Sequence, residues 1–310
     1  MSESVNKANN KACLNIGGQA IIEGVMMRAP GQLAMAVRQQ NGVIVVRKEP
    51  IKIDHSSLFK KPFFRGMVGL YDSLVLGIKA LNFSAQHAGL DDEKPLSKRE
   101  TVLSLVIGLG VGILLFLFLP LWLTNLMKAV FPLIEESFLV FNLVDGLIRV
   151  VFFVAYIAII SRMKDIQRVF QYHGAEHKSI FAYEEGLELT VENARKMSRF
   201  HPRCGTSFLL IVMIVAIFVF SLIPKDSAFV IKFGSRIVFL PVIAGISYEV
   251  LKLSGRLRRN PIVAFLMAPG LWLQRLTTRE PDDSQLEVAL VSIKTALVEE
   301  QLQMDGVDYV

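Results

Sequence analysis

Cysteine is scarce in this sequence, which has only Cys13 and Cys204 among its 310 residues. Two isolated cysteines cannot build the disulfide framework of a small secreted domain, and they are typical of a reducing, cytoplasmic setting. Charged residues are also few, at 20%, and no basic run is interleaved with aromatic residues. The net charge of +6 therefore predicts no nucleic-acid partner. The N-terminus has no apolar run, so we expect no cleavable signal peptide.

Long apolar runs are abundant instead. Hydrophobic residues make up 52% of the chain and the mean hydropathy is +0.45, which indicates an α-helical integral membrane protein. A helix needs about 20 apolar residues to cross the hydrocarbon core of a bilayer. Four segments approach or exceed that length, so we predict about four transmembrane helices, at 101–123, 138–160, 206–223 and 230–253.

The region before the first span has the alternating pattern of β-strands. We predict a disordered leader over 1–12 and a small N-terminal β-rich unit over 13–60, in which Asn41-Gly42 marks a hairpin turn. Segment 61–90 carries charged residues at seven-residue intervals. This pattern predicts an amphipathic helix that lies at the membrane interface or packs on the β-unit.

The region after the fourth span predicts two further elements. Segment 261–276 is apolar but short, and Pro269-Gly270 interrupts it, so we expect a re-entrant or interfacial segment. Segment 277–310 begins with apolar and acidic residues at helical spacing, which predicts a cytoplasmic tail helix.

Lysine and arginine are concentrated before the first span, in segment 161–205 and after the fourth span. Cytoplasmic loops of membrane proteins carry this excess. We therefore predict a multi-pass protein of the plasma membrane, with both termini and the 161–205 loop in the cytoplasm. Lys225, Lys232 and Arg236 on the outer side run against this rule.

The stretch QYHGAEHKSI, residues 171–180, carries the strongest chemical signal. On a helix, His173 and His177 lie on one face, one turn apart, and two imidazoles at this spacing can bind one metal ion. Glu176 borders the same face, where a carboxylate can take a proton from metal-bound water. The alternative is that both histidines are polar residues of the membrane interface, hydrogen-bonded to lipid headgroups.

The stretch RFHPRCGTSF, residues 199–208, adds His201 and Cys204 immediately before the third span. Histidine and thiolate at this spacing can complete a zinc or iron site, although Cys204 could equally be a small packing residue. Glu249, near the cytoplasmic end of the fourth span, is a further candidate ligand, or it pairs with an arginine. The cofactor that this set favours is a divalent metal ion, with Zn²⁺ as first choice.

Five stretches of the sequence together resemble the YqhQ-like family of bacterial integral membrane proteins. They are GGQAIIEGVMMR, VFQYHGAEHKSI, HPRCGTSF, PVIAGISYEVLKLSGR and TTREPDDSQLEVAL, and they follow one another from Gly17 to Leu290. The family is labelled as predicted metal-dependent enzymes, or as a domain of unknown function. The resemblance implies a metal and adds Gln19, Glu23 and Arg28 as site residues, but it implies no substrate.

Glu23 and Arg28 are the catalytic candidates of that segment, since a carboxylate can complete a metal shell and an arginine can hold an anionic group. Gln19 and Arg203 are candidate substrate-binding residues. An ordinary salt bridge within a β-unit is the alternative interpretation of the charged pair.

Together these features predict a membrane-embedded, cytoplasm-facing, metal-dependent enzyme. We expect a hydrolase that uses metal-activated water, with Glu176 as general base and an anionic or lipid-linked substrate. A second hypothesis is a non-enzymatic scaffold or transporter component with a structural metal. Four spans are few for a transporter, so this hypothesis calls for a homo-oligomer. A third is an intramembrane zinc protease, which requires a distal glutamate ligand such as Glu249.

Overall fold

A computed structural model describes residues 16–51, 61–89, 98–202, 204–224, 227–256, 260–298 and 306–310. The leader predicted over 1–12, Cys13 and the candidate Arg203 lie outside these ranges. Within them the chain is mostly helical and has one β-sheet.

The sheet has five strands in sequential order. They are β1 (Gly17–Ile21), β2 (Gly24–Ala29), β3 (Gln32–Arg38), β4 (Ile44–Pro50) and β5 (Val307–Tyr309). The first four pair antiparallel as a meander, and β5 pairs parallel to β4. The predicted turn at Asn41-Gly42 lies in the β3–β4 loop, where Gly42 has a φ of 88° that glycine adopts without strain.

The described residues form twelve α-helices. They are α1 (Phe64–His87), α2 (Lys98–Ile113), α3 (Leu119–Lys128), α4 (Pro132–Glu136), α5 (Phe138–Ile160), α6 (Lys164–Glu184), α7 (Val191–Lys196), α8 (Gly205–Phe220), α9 (Phe229–Val238), α10 (Leu240–Arg256), α11 (Pro261–Thr277) and α12 (Asp283–Leu297). A π-helical turn, Leu114–Phe118, joins α2 to α3 in one continuous helix.

Two helical segments are long and apolar enough to cross a membrane, Val102–Lys128 and Phe138–Ile160. A third candidate combines α9 and α10, which meet at a bend of 49°. Pro241 in the first turn of α10 cannot donate a backbone hydrogen bond to the preceding turn, which explains the break. Helix α8 is apolar but has only 16 residues, fewer than the roughly 20 that a straight span needs. The chain therefore has two or three candidate spans among its described residues.

The sheet lies between two helical layers. Side chains alternate between the two faces of a strand, so Val25 and Met27 of β2 pack with α6 and α12, whereas Met26 packs with α1. The helix predicted over 61–90 therefore packs on the β-unit. It also contacts α10, where Gly66 lies so close to Tyr248 that a Cβ atom would be 2.6 Å from the tyrosine Cβ.

The segment predicted as a tail helix differs from that expectation. Helix α12 occupies Asp283–Leu297, and the chain then ends in β5, which extends the sheet beyond β4. The physical reason lies in β4, since an edge strand presents unpaired backbone groups that a further strand can satisfy. Segment 161–205, predicted as a loop with a helix around His173 and His177, forms α6 and α7 over most of its length.

Three buried charged residues meet inside the helical region. Asp145 and Arg149 of α5, four residues apart, form an ion pair of 2.8 Å, and Arg236 of α9 donates to the same carboxylate at 2.9 Å. The spacing in the sequence predicts the first pair. Arg236 comes from a helix that is distant in the chain. Its charge is satisfied among apolar helices by the carboxylate of Asp145.

Candidate metal centre

Helix α6 carries the two histidines of the QYHGAEHKSI stretch. They lie on one face, with ring centroids 4.4 Å apart, because residues four apart are neighbours on a helix. Gly174, in the helical turn between them, has no side chain, so the segment that contains Arg279 can approach α6 closely. A Cβ atom at Gly174 would lie 2.1 Å from the carbonyl oxygen of Arg279. The linker between α11 and α12 is therefore pressed against α6 beside both histidines.

Each of the two histidines has its Nδ1 atom fixed by a backbone carbonyl. Nδ1 of His173 lies 2.8 Å from the carbonyl oxygen of Thr277, and Nδ1 of His177 lies 2.5 Å from that of Arg199. A carbonyl oxygen only accepts hydrogen bonds, so Nδ1 carries the proton in both rings and Nε2 presents its lone pair. Metal-binding histidines in proteins have this arrangement.

Burial supports the same protonation state at His177. The residue is 1% exposed, and this burial lowers the pKa of His177. The hydrogen bond with Cys204 acts in the opposite direction but does not cancel the lowering. A neutral imidazole is the form that binds a metal.

Cys204 brings a thiol to the same point from a different helix. Its Sγ atom lies 3.2 Å from Nε2 of His173. Cys204 is also the N-cap of α8, where Sγ accepts from the backbone N–H of Thr206. The first turn of a helix favours negative charge, and the thiolate is the form of cysteine that binds metals.

The ligand atoms of His173, His177 and Cys204 all lie within 4.8 Å of one another. Two imidazoles and one thiolate are a ligand set that zinc accepts, and three protein ligands leave one position of a tetrahedral shell open. The donor chemistry and the fixed tautomers therefore both fit a zinc-like divalent ion.

Glu176 is fully enclosed next to this group. Its Oε2 atom lies 3.9 Å from Nε2 of His173, and burial raises the pKa of Glu176, opposed by His173, His201 and a hydrogen bond from the backbone N–H of Gly18. Gly18 lies against the carboxylate so tightly that a Cβ atom there would be 2.8 Å from Oε1 of Glu176. Strand β1 therefore holds the carboxylate beside the metal-binding group.

His201 is close to the cluster but does not belong to the three-atom group among the described residues. Its ring centroid lies 5.6 Å from that of His177, and its Nε2 faces Glu184 at 3.5 Å. Its backbone N–H donates to the side chain of Gln274 at 2.8 Å, and the Gln274 amide donates back to its carbonyl. His201 thus anchors the loop before Cys204 to α11.

Glu249 is bound by residues at the start of α1 and not by the metal-binding group. Arg65 of α1 binds its two carboxylate oxygens at 2.7 and 2.5 Å, and the backbone N–H of Phe63 adds a hydrogen bond of 3.1 Å. The candidate distal ligand is therefore an ion-pair partner, which is the alternative that the sequence left open. The structure brings no glutamate ligand from α10 to the cluster.

Glu23 lies in the β1–β2 turn with a positive φ of 51°. Arg168 of α6 binds both of its oxygens, and the Tyr172 hydroxyl donates to it at 3.2 Å. Glu23 thus fixes the first half of α6 one turn before His173, and it lies in an ion pair rather than among the metal-binding atoms.

Gln19 and Arg28 lie on the other face of the sheet. Gly18 contacts Glu176 of α6, so the next residue of β1, Gln19, points the opposite way, where its amide contacts Gly77 of α1. Arg28 follows Met27, which faces α6 and α12, so it too points toward the α1 side. The structure brings neither residue to the cluster.

The groups that the sequence did not reveal are mostly backbone atoms. The carbonyl oxygens of Thr277 and Arg199 orient the two imidazoles, and the N–H of Gly18 binds Glu176. Every residue carries such groups, so no residue type marks them. The Gly-Gly pair at 17–18 was the one visible signal, since glycine permits close backbone approach.

Comparison with known proteins identifies relatives but no activity. Residues 61–299 match the family described as "Protein of unknown function (DUF1385)". The chain is 40% identical over 296 residues to "Uncharacterized protein YqhQ" of Bacillus subtilis (strain 168), covering 91% of this chain and 92% of that protein. The resemblance to YqhQ-like proteins is thereby confirmed. No solved structure matches the chain.

Proposed function

Since the chain belongs to the DUF1385 family of proteins of unknown function, we propose its function from the site alone: it is a membrane-embedded, metal-dependent hydrolase. One observation carries the proposal. The Nδ1 atoms of His173 and His177 both face backbone carbonyls, while Cys204 Sγ lies beside the Nε2 side. A pair of histidines bonded to lipid headgroups would need no such orientation.

A divalent ion such as Zn²⁺, when bound, supplies Lewis-acid activation of water. His173, His177 and Cys204 would hold it. Glu176 is the proton acceptor of the proposal, because it is buried and lies 3.9 Å from Nε2 of His173. A carboxylate beside a metal-bound water is placed to take its proton.

The proposal places the site at the cytoplasmic surface of a four-span protein with both termini in the cytoplasm. Val102–Lys128 and Phe138–Ile160 provide two spans, and α8 with the bent pair α9–α10 would provide the other two. The concentration of lysine and arginine around α6 supports the orientation. Cys204 of the cluster is the N-cap of α8, so the cluster would lie at the membrane surface if α8 is a span.

Elemental analysis of the detergent-purified protein tests the metal site. We expect about one zinc per chain in the wild type and a loss of tenfold or more in His173→Ala, His177→Ala and Cys204→Ala. His87→Ala is the matched control, since this histidine lies on α1 and bonds the carbonyl of Phe83. Wild-type zinc content in the first three variants would overturn the assignment.

Coordination number separates the enzyme from a scaffold with a structural metal. X-ray absorption spectroscopy is expected to show one sulfur ligand, two imidazoles and a light atom from water. In the Glu176→Gln variant the metal content should stay unchanged while the function of the protein in cells is lost. Four protein ligands, or normal function with glutamine at this position, would favour the scaffold.

A further inference from the structure

An apolar groove runs along the membrane-spanning region. Its walls come from the continuous helix of α2 and the π-helical turn, and from α5, α8 and α10. Its volume is about 480 Å³, within the range of about 300–1,000 Å³ found for ligand pockets. Among the residues that the structure describes, Arg149 is the one charged residue in the lining, and the others are apolar or glycine.

The groove is open toward the surface that faces the bilayer. Leu109, Leu209 and Leu240 at its rim are exposed, whereas Phe220 and Ile243 on its floor are 3% and 1% exposed. Its rim is continuous with the exposed apolar face of α2, which in a spanning helix contacts lipid. Hydrocarbon from the bilayer is therefore the material that can enter it.

The groove has the length of one lipid chain. Along α8 it extends from Leu209 to Phe220, which is about 16 Å at about 1.5 Å per residue. This is half of the roughly 30 Å hydrocarbon core, the depth of a single leaflet. Cys204, the N-cap of this helix, lies five residues before Leu209, about 7.5 Å further along the axis. A chain in the groove would thus carry its headgroup to the level of the metal-binding cluster.

A paired charge lies at the Phe220 end of the groove. The Arg149 guanidinium binds Asp145 at 2.8 Å and lies over the Phe220 ring, 4.9 Å from the centroid. Near Leu209, none of the described lining residues is charged. The Leu209 end is the one nearer Cys204 along the chain, so the polar headgroup belongs there. The terminal methyl then lies at the Phe220 end, beside a guanidinium that Asp145 already binds.

We propose that this groove binds one hydrocarbon chain of a membrane phospholipid, whose headgroup lies at the cluster of His173, His177 and Cys204. The phospholipid is then the substrate class of the enzyme. The assignment as substrate rests on the proposed function, whereas the binding of the chain does not.

Two glycines make the groove testable without disturbing the protein packing. Gly108 and Gly112 line it, and a Cβ atom at either position would meet no atom within 4 Å. The double variant Gly108→Leu/Gly112→Leu would fill the groove with side chains. Gly110→Leu is the matched control, because Gly110 also has open space around it but does not line the groove. Leucine favours a helix over glycine at all three positions.

The probe is a phosphatidylglycerol with a diazirine in one acyl chain, in vesicles of phosphatidylglycerol and phosphatidylethanolamine that contain the purified full chain. We expect photolabelling of α8 at Leu209, Val212 and Met213 to exceed that of the exposed α5 residues Leu139 and Leu143. The double variant should reduce the α8 labelling by about tenfold, the effect of about 1.4 kcal/mol in affinity. Gly110→Leu should leave it unchanged.

Zinc analysis of the same samples separates the two proposals. Selective labelling together with bound zinc supports both. Selective labelling without zinc retains the chain-binding groove and overturns the headgroup position and the proposed function. Bound zinc with equal labelling of α8 and α5, or with no effect of the double variant, overturns the groove alone. Thermal melting checks that the variants fold, and Gly108→Leu alone serves if the double variant does not.

Discussion

Nε2 of His173 lies 3.2 Å from Sγ of Cys204, although 31 residues separate the two in the chain. Three hydrogen bonds to backbone carbonyls position the segments around His173, His177 and Cys204. The carbonyls of Thr277 and Arg199 fix the two imidazoles, and Arg199 also donates from its side chain to the carbonyl of Thr278 at 2.9 Å. The groups that would bind a metal are thus oriented by neighbouring segments, which is the preorganisation that a precise site requires.

Gly18→Ala is expected to destabilise the protein through Glu176. A Cβ atom at this position would lie 2.7 Å from Cγ and 2.8 Å from Oε1 of the buried glutamate, so strand β1 or the side chain must shift. Such overpacking typically costs about 1–3 kcal/mol of unfolding free energy. The measurement is the shift in thermal or denaturant midpoint of the detergent-solubilised protein.

The neighbouring glycine provides the control for this experiment. A Cβ atom at Gly17 would meet no atom within 4 Å, so Gly17→Ala should change stability by less than about 0.5 kcal/mol. In a Glu176→Ala background the atoms that clash are gone, and Gly18→Ala should then cost much less. Equal effects of the two alanines in the wild-type background would show that the contact with Glu176 does not matter.

Glu249→Gln is expected to leave the zinc content unchanged. The carboxylate is bound by Arg65 and by the backbone N–H of Phe63, not by the cluster. The substitution should instead loosen the contact of α1 with α10. Arg65→Ala should have a similar effect on the melting temperature, and neither should alter metal stoichiometry. A loss of zinc in Glu249→Gln would restore the glutamate as a distal ligand and revive the protease hypothesis.

The elements predicted with most success were those with a strong local pattern. The hairpin at Asn41-Gly42, the apolar spans at 101–123 and 138–160 and the helical spacing of His173 and His177 all depend on residues near in sequence. Each of these appears in the structure as an element of the expected type. The convergence of Cys204 with the two histidines was one of the alternatives that the sequence left open, because both segments flank predicted spans on the same predicted side of the membrane.

Contacts between elements that are distant in the chain could not be predicted from the sequence. Gln19 and Arg28 sit in the segment that contacts the site, but the two-residue period of a strand turns both toward α1. The pairing of Glu249 with Arg65 and the pairing of β5 with β4 join residues far apart in the chain. A single sequence specifies which residues are polar, but not which distant partner satisfies them.

Asp145→Asn is expected to be strongly destabilising. The carboxylate forms ion pairs with two buried arginines, Arg149 and Arg236. Removing its charge leaves both guanidiniums without this counterion in apolar surroundings. Breaking a buried pair in this way costs about 3–5 kcal/mol. The comparison is Asp283→Asn, which breaks the pair with Arg195, whose two side chains are 56% and 62% exposed.

An exposed pair of this kind contributes at most about 1 kcal/mol, so the melting temperatures of the two asparagine variants should differ clearly. The same ranking should hold at high salt, since salt screens the exposed pair and barely reaches the buried one. A wild-type melting temperature for Asp145→Asn would mean that the two arginines find other acceptors.

The N-terminus of α12 should make the stability of the protein sensitive to acid. Asp282 caps this helix in a capping box with Gln285. Burial alone would raise the pKa of Asp282, but hydrogen bonds from the Ser284 hydroxyl and from the Gln285 backbone N–H, with the nearby Arg168, lower it. A carboxyl whose folded pKa is below its unfolded value of about 3.9 stabilises the fold above that pH. This contribution is lost as the pH falls through the folded pKa.

Two substitutions separate the charge of Asp282 from its role as a cap. Asp282→Asn keeps an acceptor oxygen at the N-cap, so it should lose little stability at pH 7. It should flatten the decline that begins as the pH approaches the unfolded pKa of about 3.9 and continues below it. Asp282→Ala removes the acceptor and should cost about 1 kcal/mol at neutral pH. Denaturant unfolding of the wild type and both variants at each pH measures the difference. If the wild type and Asp282→Asn lose stability in parallel on acidification, the acid sensitivity comes from other carboxylates.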